Sequence, residues 1–169
     1  MYRVSYSAFK VASLLRGKND RRPSFNAFRL DSEGLIVTTD GHRLFCGRVE
    51  TESEESITVN IAGKEPTTFD YVEIHTGLAN FYSDKTGLVC SLPVNVIEDN
   101  YPDWRRVVKF NEGNVSSIGF TAKYLADISK AAKLYNFSII KMEFQDNTNA
   151  CRIKLSETDY IIIMPAKFK

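Results

Sequence analysis

The chain has few of the residues that hold metals, cofactors or disulfide frameworks. Among its 169 residues are three cysteines, two histidines and one tryptophan. The cysteines are far apart, with neither a CxxC pair nor histidines at metal-ligand spacing, so the sequence predicts no metal site and no cofactor. We expect Cys46, Cys90 and Cys151 to be free thiols, buried as small apolar residues in a reducing compartment.

Long apolar runs are also missing. No stretch approaches the ~20 apolar residues of a membrane-spanning helix, and the N-terminus has neither the apolar length nor the cleavage site of a secretion signal. We therefore expect a cytoplasmic protein with no membrane partner. Hydrophobic residues make up 43% and charged residues 25% of the chain, which is ordinary for a folded globular protein. The length suits one domain or two small packed domains.

Neither sign of charge is in excess. The formal net charge of +1 does not decide whether the protein binds nucleic acid, since a basic face can lie opposite an acidic one. Four glutamates lie in the loop at residues 50–55, whereas basic residues lie on the outer faces of two predicted helices. The distribution therefore matters more than the total.

Helix and strand patterns occur in an order that is repeated once. A helix is predicted at residues 7–16 and ended by Gly17, and a second is predicted to be capped by Thr121 and to run to Tyr135. The residues predicted to face the core from the two helices are Ala8, Val11, Ala12, Leu15, Leu125, Ile128, Ala132 and Tyr135.

The first helix is followed by predicted strands at residues 25–30, 35–39, 43–49, 57–61, 71–75, 79–82 and 88–92, and then by a connector around Pro102. Strands at residues 138–144, 151–155 and 160–164 follow the second helix. Because a helix with three strands occurs twice, the predicted fold class is α+β with antiparallel strands.

Three segments stand out, and each has an ordinary structural explanation. TTDGHRLFCGRV, residues 38–49, is typical of a hairpin with an Asp-Gly turn. YPDWRRVV, residues 101–108, can be a linker with a tryptophan lid, and YIIIMPAKFK, residues 160–169, can be a buried last strand that ends at Pro165. His42 has no nucleophile nearby in sequence, and no phosphate loop, nucleophile elbow or zinc pattern occurs. We expect no catalytic residue, so a nuclease or other enzyme is not supported.

Taken together in this order, the three segments resemble those of bacterial DNA polymerase III beta sliding clamps. IGFTAKYLADISKAAK, residues 118–133, is also similar to a strand and helix of that family's last domain. The resemblance implies a DNA-clamp fold made of repeated helix and antiparallel strand units (βαβββ-like). It implies a middle-type clamp domain at residues 1–94, a connector at 95–114 and half of a last domain at 115–169, with the helix expected between Ile61 and Tyr71 missing. A single clamp domain from residues 1–50 and 115–167, with 51–110 inserted, is the alternative.

In that family the three segments converge on a hydrophobic groove that holds a short peptide of polymerases and other clamp users. The resemblance implies that the groove residues of this chain are Phe25, Thr39, Gly41, His42, Arg43, Leu44, Pro102, Arg106, Val107, Ile163, Met164 and Pro165. Leucine, valine, isoleucine and methionine would provide an adaptable apolar wall, and the arginines and His42 would fix polar groups of the peptide.

The family's helices line the hole of a ring and contact DNA phosphates without reading sequence. The corresponding cations of this chain are Lys10, Arg16, Lys18, Arg21, Arg22, Lys123, Lys130 and Lys133. Without the resemblance, a solvated helix face is the favoured explanation of these cations.

Two functions follow from the resemblance. One is a processivity factor that forms a homo-oligomeric ring around duplex DNA and binds a DNA polymerase, or another protein with a clamp-binding peptide, through the groove. The other is a regulator without a ring, which competes with the host clamp for its peptide partners. The compact length suggests a phage- or mobile-element-encoded version.

Overall fold

The computed structural model describes residues 1–109, 115 and 117–167. The helices are α1 (Tyr6–Leu15), α2 (Arg105–Val108) and α3 (Ala122–Leu134), and a 3-10 turn lies at Pro23–Asn26. The strands are β1 (Tyr2–Ser5), β2 (Phe28–Asp31), β3 (Leu35–Thr39), β4 (Arg43–Arg48), β5 (Glu50–Thr51), β6 (Ile57–Ile61), β7 (Tyr71–His75), β8 (Leu78–Ser83), β9 (Gly87–Val96), β10 (Met142–Glu143), β11 (Cys151–Lys154) and β12 (Tyr160–Ile163).

Helix α1 forms where the sequence predicts it. The Ser5 side chain accepts a hydrogen bond from the Ala8 amide at 3.3 Å and so caps the first turn, and the predicted apolar face is buried. Gly17 follows the helix because the chain passes close to the Phe25 carbonyl, which would lie 2.9 Å from an added Cβ. The Gly17 amide donates to that carbonyl at 2.8 Å, so close approach is the reason for this glycine.

Within the described residues, the strands form one antiparallel arrangement in the order β10-β11-β12-β4-β3-β2-β6-β9-β8-β7-β1-β5. Strand β12, near the C-terminus, pairs with β4 of the first hairpin, with Ile162 opposite Leu44 and Ile163 opposite Arg43. Helices α1 and α3 pack side by side, and the Ser7 hydroxyl donates to the Leu134 carbonyl at 2.7 Å. This strand order places the C-terminal strand next to the first hairpin.

The main core lies between the helices and the sheet. It includes Phe9, Phe28 and Phe81 from the first part of the chain and Ile128 and Ile153 from the last part. The domain boundaries inferred from the resemblance remain a prediction, although both parts contribute to one core. No described helix has the length and apolar character needed to cross a membrane.

Several predicted elements differ from the observed ones. The strand expected at residues 25–30 begins only at Phe28, because Pro23 starts a 3-10 turn that includes Phe25. The strand expected at residues 138–144 is confined to Met142–Glu143, since only these residues pair with β11. On α3, Leu125 is exposed rather than inward, and Asp127 takes a buried position. Thr121 occupies the N-cap of α3, but the described structure gives its side chain no capping hydrogen bond.

Residues 62–70, all described, contain no helix, as the sequence predicts. The three cysteines are free; Cys46 and Cys151 are buried, whereas Cys90 on β9 is only half-buried. Burial raises the pKa of the Cys46 thiol to about 11, which keeps it protonated and unreactive near neutral pH.

Candidate functional site

The turn between β3 and β4 is held by side chains of its own sequence. The Asp40 carboxylate accepts hydrogen bonds from the backbone amides of His42 at 3.0 Å and Arg43 at 2.8 Å. The Thr39 hydroxyl donates to the Arg43 carbonyl at 2.7 Å and accepts from the Gly41 amide at 3.0 Å. Gly41 has a φ of 87°, which is strained for any residue with a side chain. The predicted Asp-Gly hairpin turn is therefore present and rigid.

Three distant segments meet at this turn and enclose a small pocket of about 60 Å³. Its lining comes from the hairpin, from α2 of the connector and from the C-terminal strand. The lining residues are Thr39, Gly41, His42, Arg43, Leu44, Val107, Ile162 and Met164. The Met164 amide donates to the His42 carbonyl at 3.0 Å and so fixes the C-terminal segment against the turn. Seven of these residues are groove residues implied by the resemblance.

The eighth lining residue, Ile162, corrects the predicted position by one residue. Side chains alternate along a strand, and on β12 they place Ile162 beside Leu44 on one face and Ile163 in the main core on the other. Ile163 is fully buried there and does not line the pocket. The period-two pattern of YIIIM could have identified Ile162, since Ile162 and Met164 share a face.

Four other predicted groove residues lie near the pocket without lining it. Phe25 is buried beneath the Arg22 guanidinium, 3.4 Å from the ring centroid, and supports the turn from below at Gly41. Pro102 accepts a hydrogen bond from the Trp104 amide at 2.7 Å through its carbonyl, and Arg106 is exposed. Pro165 follows Met164 and is half-buried. None of the four lines the pocket in this structure.

Arg43 is occupied by carboxylates rather than free to bind a ligand. Its side chain is 7% exposed and makes ion pairs with Asp40 at 2.8 Å and with Asp127 of α3 at 2.6 Å. Burial by itself raises the pKa of Asp127, but hydrogen bonds from Lys130 and Arg43 outweigh it and hold that pKa below its usual range. Tyr124 lies against the same guanidinium, 4.6 Å from its ring centroid. Arg43 thus joins the pocket wall to α3, a role that sequence reasoning missed.

The connector is anchored by a tryptophan and an arginine. Trp104 is buried in a second apolar cluster with Val37, Leu44 and Ile162, on the sheet face opposite the main core. Arg105 lies over the Trp104 ring and pairs with the buried Asp31 at 3.1 Å. Trp104 therefore covers this second cluster, and the anchoring holds Val107 at the mouth of the pocket.

The predicted DNA-contacting cations are only partly brought together. A cleft of about 520 Å³ between α1, α3 and the hairpin turn is lined by the four cations Arg16, Lys18, Lys123 and Lys130. His42 and Arg43 line it from the turn, and Asp20, Asp40 and Asp127 add negative charge. The hairpin turn is therefore a shared wall, with the apolar pocket on one side and this charged cleft on the other.

The other predicted cations lie outside the cleft, and several of the eight are already partnered. Lys10 donates to the Pro66 carbonyl at 2.9 Å, and Arg16 pairs with Glu65 at 3.2 Å. Arg22 pairs with Asp20 at 3.0 Å, which lowers the pKa of that carboxyl to about 2 through its hydrogen bonds. Arg21 and Lys133 are exposed, as are Lys18 and Lys123. Among the described residues, no group of three His, Cys, Asp or Glu residues could hold a metal ion.

The fold is similar to that of bacterial DNA polymerase sliding clamps. The clamp of Bacillus subtilis matches with a TM-score of 0.66 at 13% identity, and the DNA polymerase beta subunit of Streptococcus pyogenes with 0.68 at 15%. The Helicobacter pylori beta clamp bound to a DNA ligase peptide matches with 0.65 at 11%.

These matches cover 99%, 96% and 98% of this chain but 64%, 63% and 65% of the three clamps, so the chain spans slightly less than two thirds of their length. No family model and no curated protein matches the sequence. At these identities the likeness establishes the fold, which is the clamp fold that the sequence predicts.

Proposed function

We propose that this chain is a sliding-clamp-like processivity factor, a binding protein rather than an enzyme. Its pocket would hold one apolar side chain of a clamp-binding peptide carried by a DNA polymerase or another partner, and its homo-oligomer would encircle duplex DNA. The observation that carries the proposal is the meeting of hairpin turn, connector helix and C-terminal strand around one apolar pocket on a clamp fold. The likeness to a clamp bound to a DNA ligase peptide gives further support.

The chemistry of the pocket suits an extended peptide with an apolar anchor. Leu44, Val107, Ile162 and Met164 provide apolar contact, and exposed Met164 and Val107 can adjust around a side chain. The volume admits only a small apolar anchor, so affinity would depend on the anchor and on flanking contacts. Because Arg43 is paired, polar contacts to the peptide would come from His42, Arg106 and the backbone.

Peptide binding is tested by titrating a fluorescent clamp-binding peptide into the protein and into two variants, Leu44→Asp and Met164→Asp. Each variant would place an unpaired carboxylate at the pocket, and we expect affinity to fall on the order of tenfold or more. Leu88→Asp is the matched control, since Leu88 is exposed on β9 and away from the pocket. Unchanged affinity in both pocket variants would exclude this pocket as the peptide site.

The DNA part of the proposal assigns phosphate contact to the charged cleft and its surroundings. The exposed Lys18 and Lys123 are the best-placed cations there, since neither forms an ion pair with a carboxylate of the described residues. Retention on a closed circular duplex, with release when the circle is cut, would identify encirclement, and the loss of binding should be steep with added salt. Simple binding that is equal on circular and linear DNA would contradict a ring.

The second candidate function is a groove-binding regulator without a ring. It is favoured by the pairing of Arg16, Arg22 and Lys130 with carboxylates, which leaves fewer cations for phosphates than the sequence suggests. Light scattering at several concentrations separates the two functions. A discrete oligomer supports the clamp, whereas a persistent monomer that still binds the peptide supports the regulator.

A further inference from the structure

The segment between β6 and β7, residues 62–70, crosses one side of α1 and is called the strap. It contains no helix or strand, and its contacts with α1 hold it in place. Lys10 of α1 donates to the Pro66 carbonyl at 2.9 Å. Phe69 is buried edge-on against the Tyr6 ring, with the ring centroids 5.0 Å apart. The strap is therefore fixed to the helix by a hydrogen bond and by an aromatic anchor.

One carboxylate of the strap binds a cation of α1. Glu65 Oε1 accepts hydrogen bonds from the Arg16 guanidinium at 3.2 Å and from the Ser13 hydroxyl at 3.3 Å. Both donors reach the same oxygen, so the contact lacks the two parallel hydrogen bonds of the strongest arginine–carboxylate pairs. The side chains of Arg16 and Glu65 are 20% and 18% exposed. A competing anion can therefore reach this ion pair from solvent.

Arg16 lies between two open clefts. One is the charged cleft beside the hairpin turn, and the other also has a volume of about 520 Å³. The second cleft is lined by Arg16, Gly17, Lys18, Asn19, Asn26 and Asn60. Lys18 lines both clefts, so two cations flank the same openings.

The guanidinium of Arg16 is held in place by more than the strap. It donates to the Asn26 carbonyl and to Asn60 Oδ1, each at 3.3 Å, and lies 4.6 Å from the Phe28 ring centroid. With the Glu65 contact, these are three hydrogen bonds among the described residues for a side chain that has five N–H donors. A phosphate that enters either cleft can therefore bind Arg16 in its present position.

We propose that Glu65 competes with DNA phosphates for Arg16, so that the strap acts as a latch that lowers the affinity of α1 for duplex DNA. A carboxylate accepts the same guanidinium hydrogen bonds that a phosphate oxygen would accept. While Glu65 binds Arg16, the pair has no net charge, and the arginine contributes little to the attraction of phosphates. Release of Glu65 would add one cation beside Lys18. The latch regulates the DNA contact of the proposed function and so rests on it.

Glu65→Gln tests the latch by fluorescence anisotropy with duplex DNA. Glutamine keeps an oxygen that accepts from Arg16 and Ser13 but has no charge, so the strap should stay in place. We expect DNA affinity at low salt to rise about three- to tenfold and the slope of log affinity against log salt to steepen by about 1, because one more cation contacts phosphate. Asp70→Asn is the matched control on the same strap, since the Asp70 carboxylate accepts from the Asp84 amide at 2.6 Å rather than from a cation of α1.

Two further variants separate the latch from a general effect of charge. Ser13→Ala removes the second donor to Glu65 without changing any charge, and it should raise DNA affinity about twofold. Arg16→Gln/Glu65→Gln has the net charge of the wild type and should lose the gain of Glu65→Gln, because the released cation is absent. Thermal unfolding followed by circular dichroism checks that each variant is folded.

Equal DNA affinity of the wild type, Glu65→Gln and Ser13→Ala would overturn the latch and leave DNA binding intact, as would an equal gain in Asp70→Asn and Glu65→Gln. A double variant that keeps the gain would also overturn the latch, because the gain would then not depend on Arg16. Absence of DNA binding by both the wild type and Glu65→Gln would refute the DNA part of the proposed function and the latch with it. Binding by Glu65→Gln alone would support both.

Discussion

The two sides of the β3–β4 turn differ in how their residues are used. On the pocket side, Leu44, Val107 and Met164 converge although they come from three distant segments. On the cleft side, the cations are dispersed, and Arg16 and Lys130 are paired with Glu65 and Asp127. Apolar side chains have to be buried against one another, so a sequence pattern locates them well. A charged side chain can reach several partners, so its sequence position says less about its role.

The largest expected effect on stability concerns the two cations that pair with Asp127, one on the pocket side of the turn and one on the cleft side. Asp127 Oδ2 pairs with buried Arg43, and its Oδ1 pairs with Lys130, which is 65% exposed. Arg43→Met removes the buried cation and leaves two carboxylates without their main partner, so we expect a loss of about 3 kcal/mol in unfolding free energy. Lys130→Met removes only the exposed cation and should cost within about 1 kcal/mol. Urea denaturation measures both, and equal losses would contradict the division of roles.

On the pocket side, two neighbouring isoleucines distinguish an effect on stability from an effect on peptide binding. Ile162→Ala and Ile163→Ala remove similar buried volume, and each should cost about 2–4 kcal/mol of stability. Only Ile162 lines the pocket, so only its truncation should weaken peptide binding, on the order of tenfold. Titration of the folded fraction of each variant with the same peptide distinguishes the two effects. A larger affinity loss in Ile163→Ala than in Ile162→Ala would mean that Ile163, as the resemblance implied, is the residue that contacts the peptide.

The sequence predicted much of this side because its signals are local. The Asp-Gly turn, the apolar face of α1 and the strand positions around Thr39 and Leu44 follow from short-range chemistry, and the structure has them where expected. The segments that complete the pocket were found through the resemblance. The one-residue difference at Ile162 arises because the resemblance fixed the segment, while strand alternation fixes which side chain faces the pocket.

The features that the sequence did not predict depend on contacts between residues far apart in the chain. Asp127 and Arg43 are 84 residues apart, and no sequence pattern predicts that a charge on α3 is buried against the hairpin. The strand predicted at residues 138–144 failed for a similar reason, since strand propensity yields a strand only where a partner is available. Lysine spacing on a helix likewise does not reveal a pairing such as Lys130 with Asp127.

The contribution of the Asp127 ion pairs to stability should also depend on pH. The pKa of Asp127 is lowered in the folded protein, so its ion pairs contribute stability above the unfolded value of about 3.9 and lose it as pH falls through the folded value. Asp127→Asn should therefore be less stable than the wild type at neutral pH and should show a smaller loss between about pH 4 and the acid limit. Urea midpoints from pH 7 downward measure this, and parallel curves for the two proteins would contradict the role of Asp127.

The smallest expected effects concern Lys18 and Lys123, the cleft cations that form no ion pair with a carboxylate of the described residues. If Lys18 and Lys123 contact phosphates, replacing either by alanine should weaken DNA binding almost equally for all sequences and reduce the slope of log affinity against log salt by about 1. Lys10→Ala is the matched control, because its ammonium group is held by the Pro66 carbonyl outside the cleft and should change the slope little. Fluorescence anisotropy with duplex DNA at several salt concentrations gives these slopes. Equal slope reductions for all three lysines would mean that the helix faces as a whole, rather than the cleft, attract the DNA. The ion pairs around the turn would then not determine which cations contact phosphates.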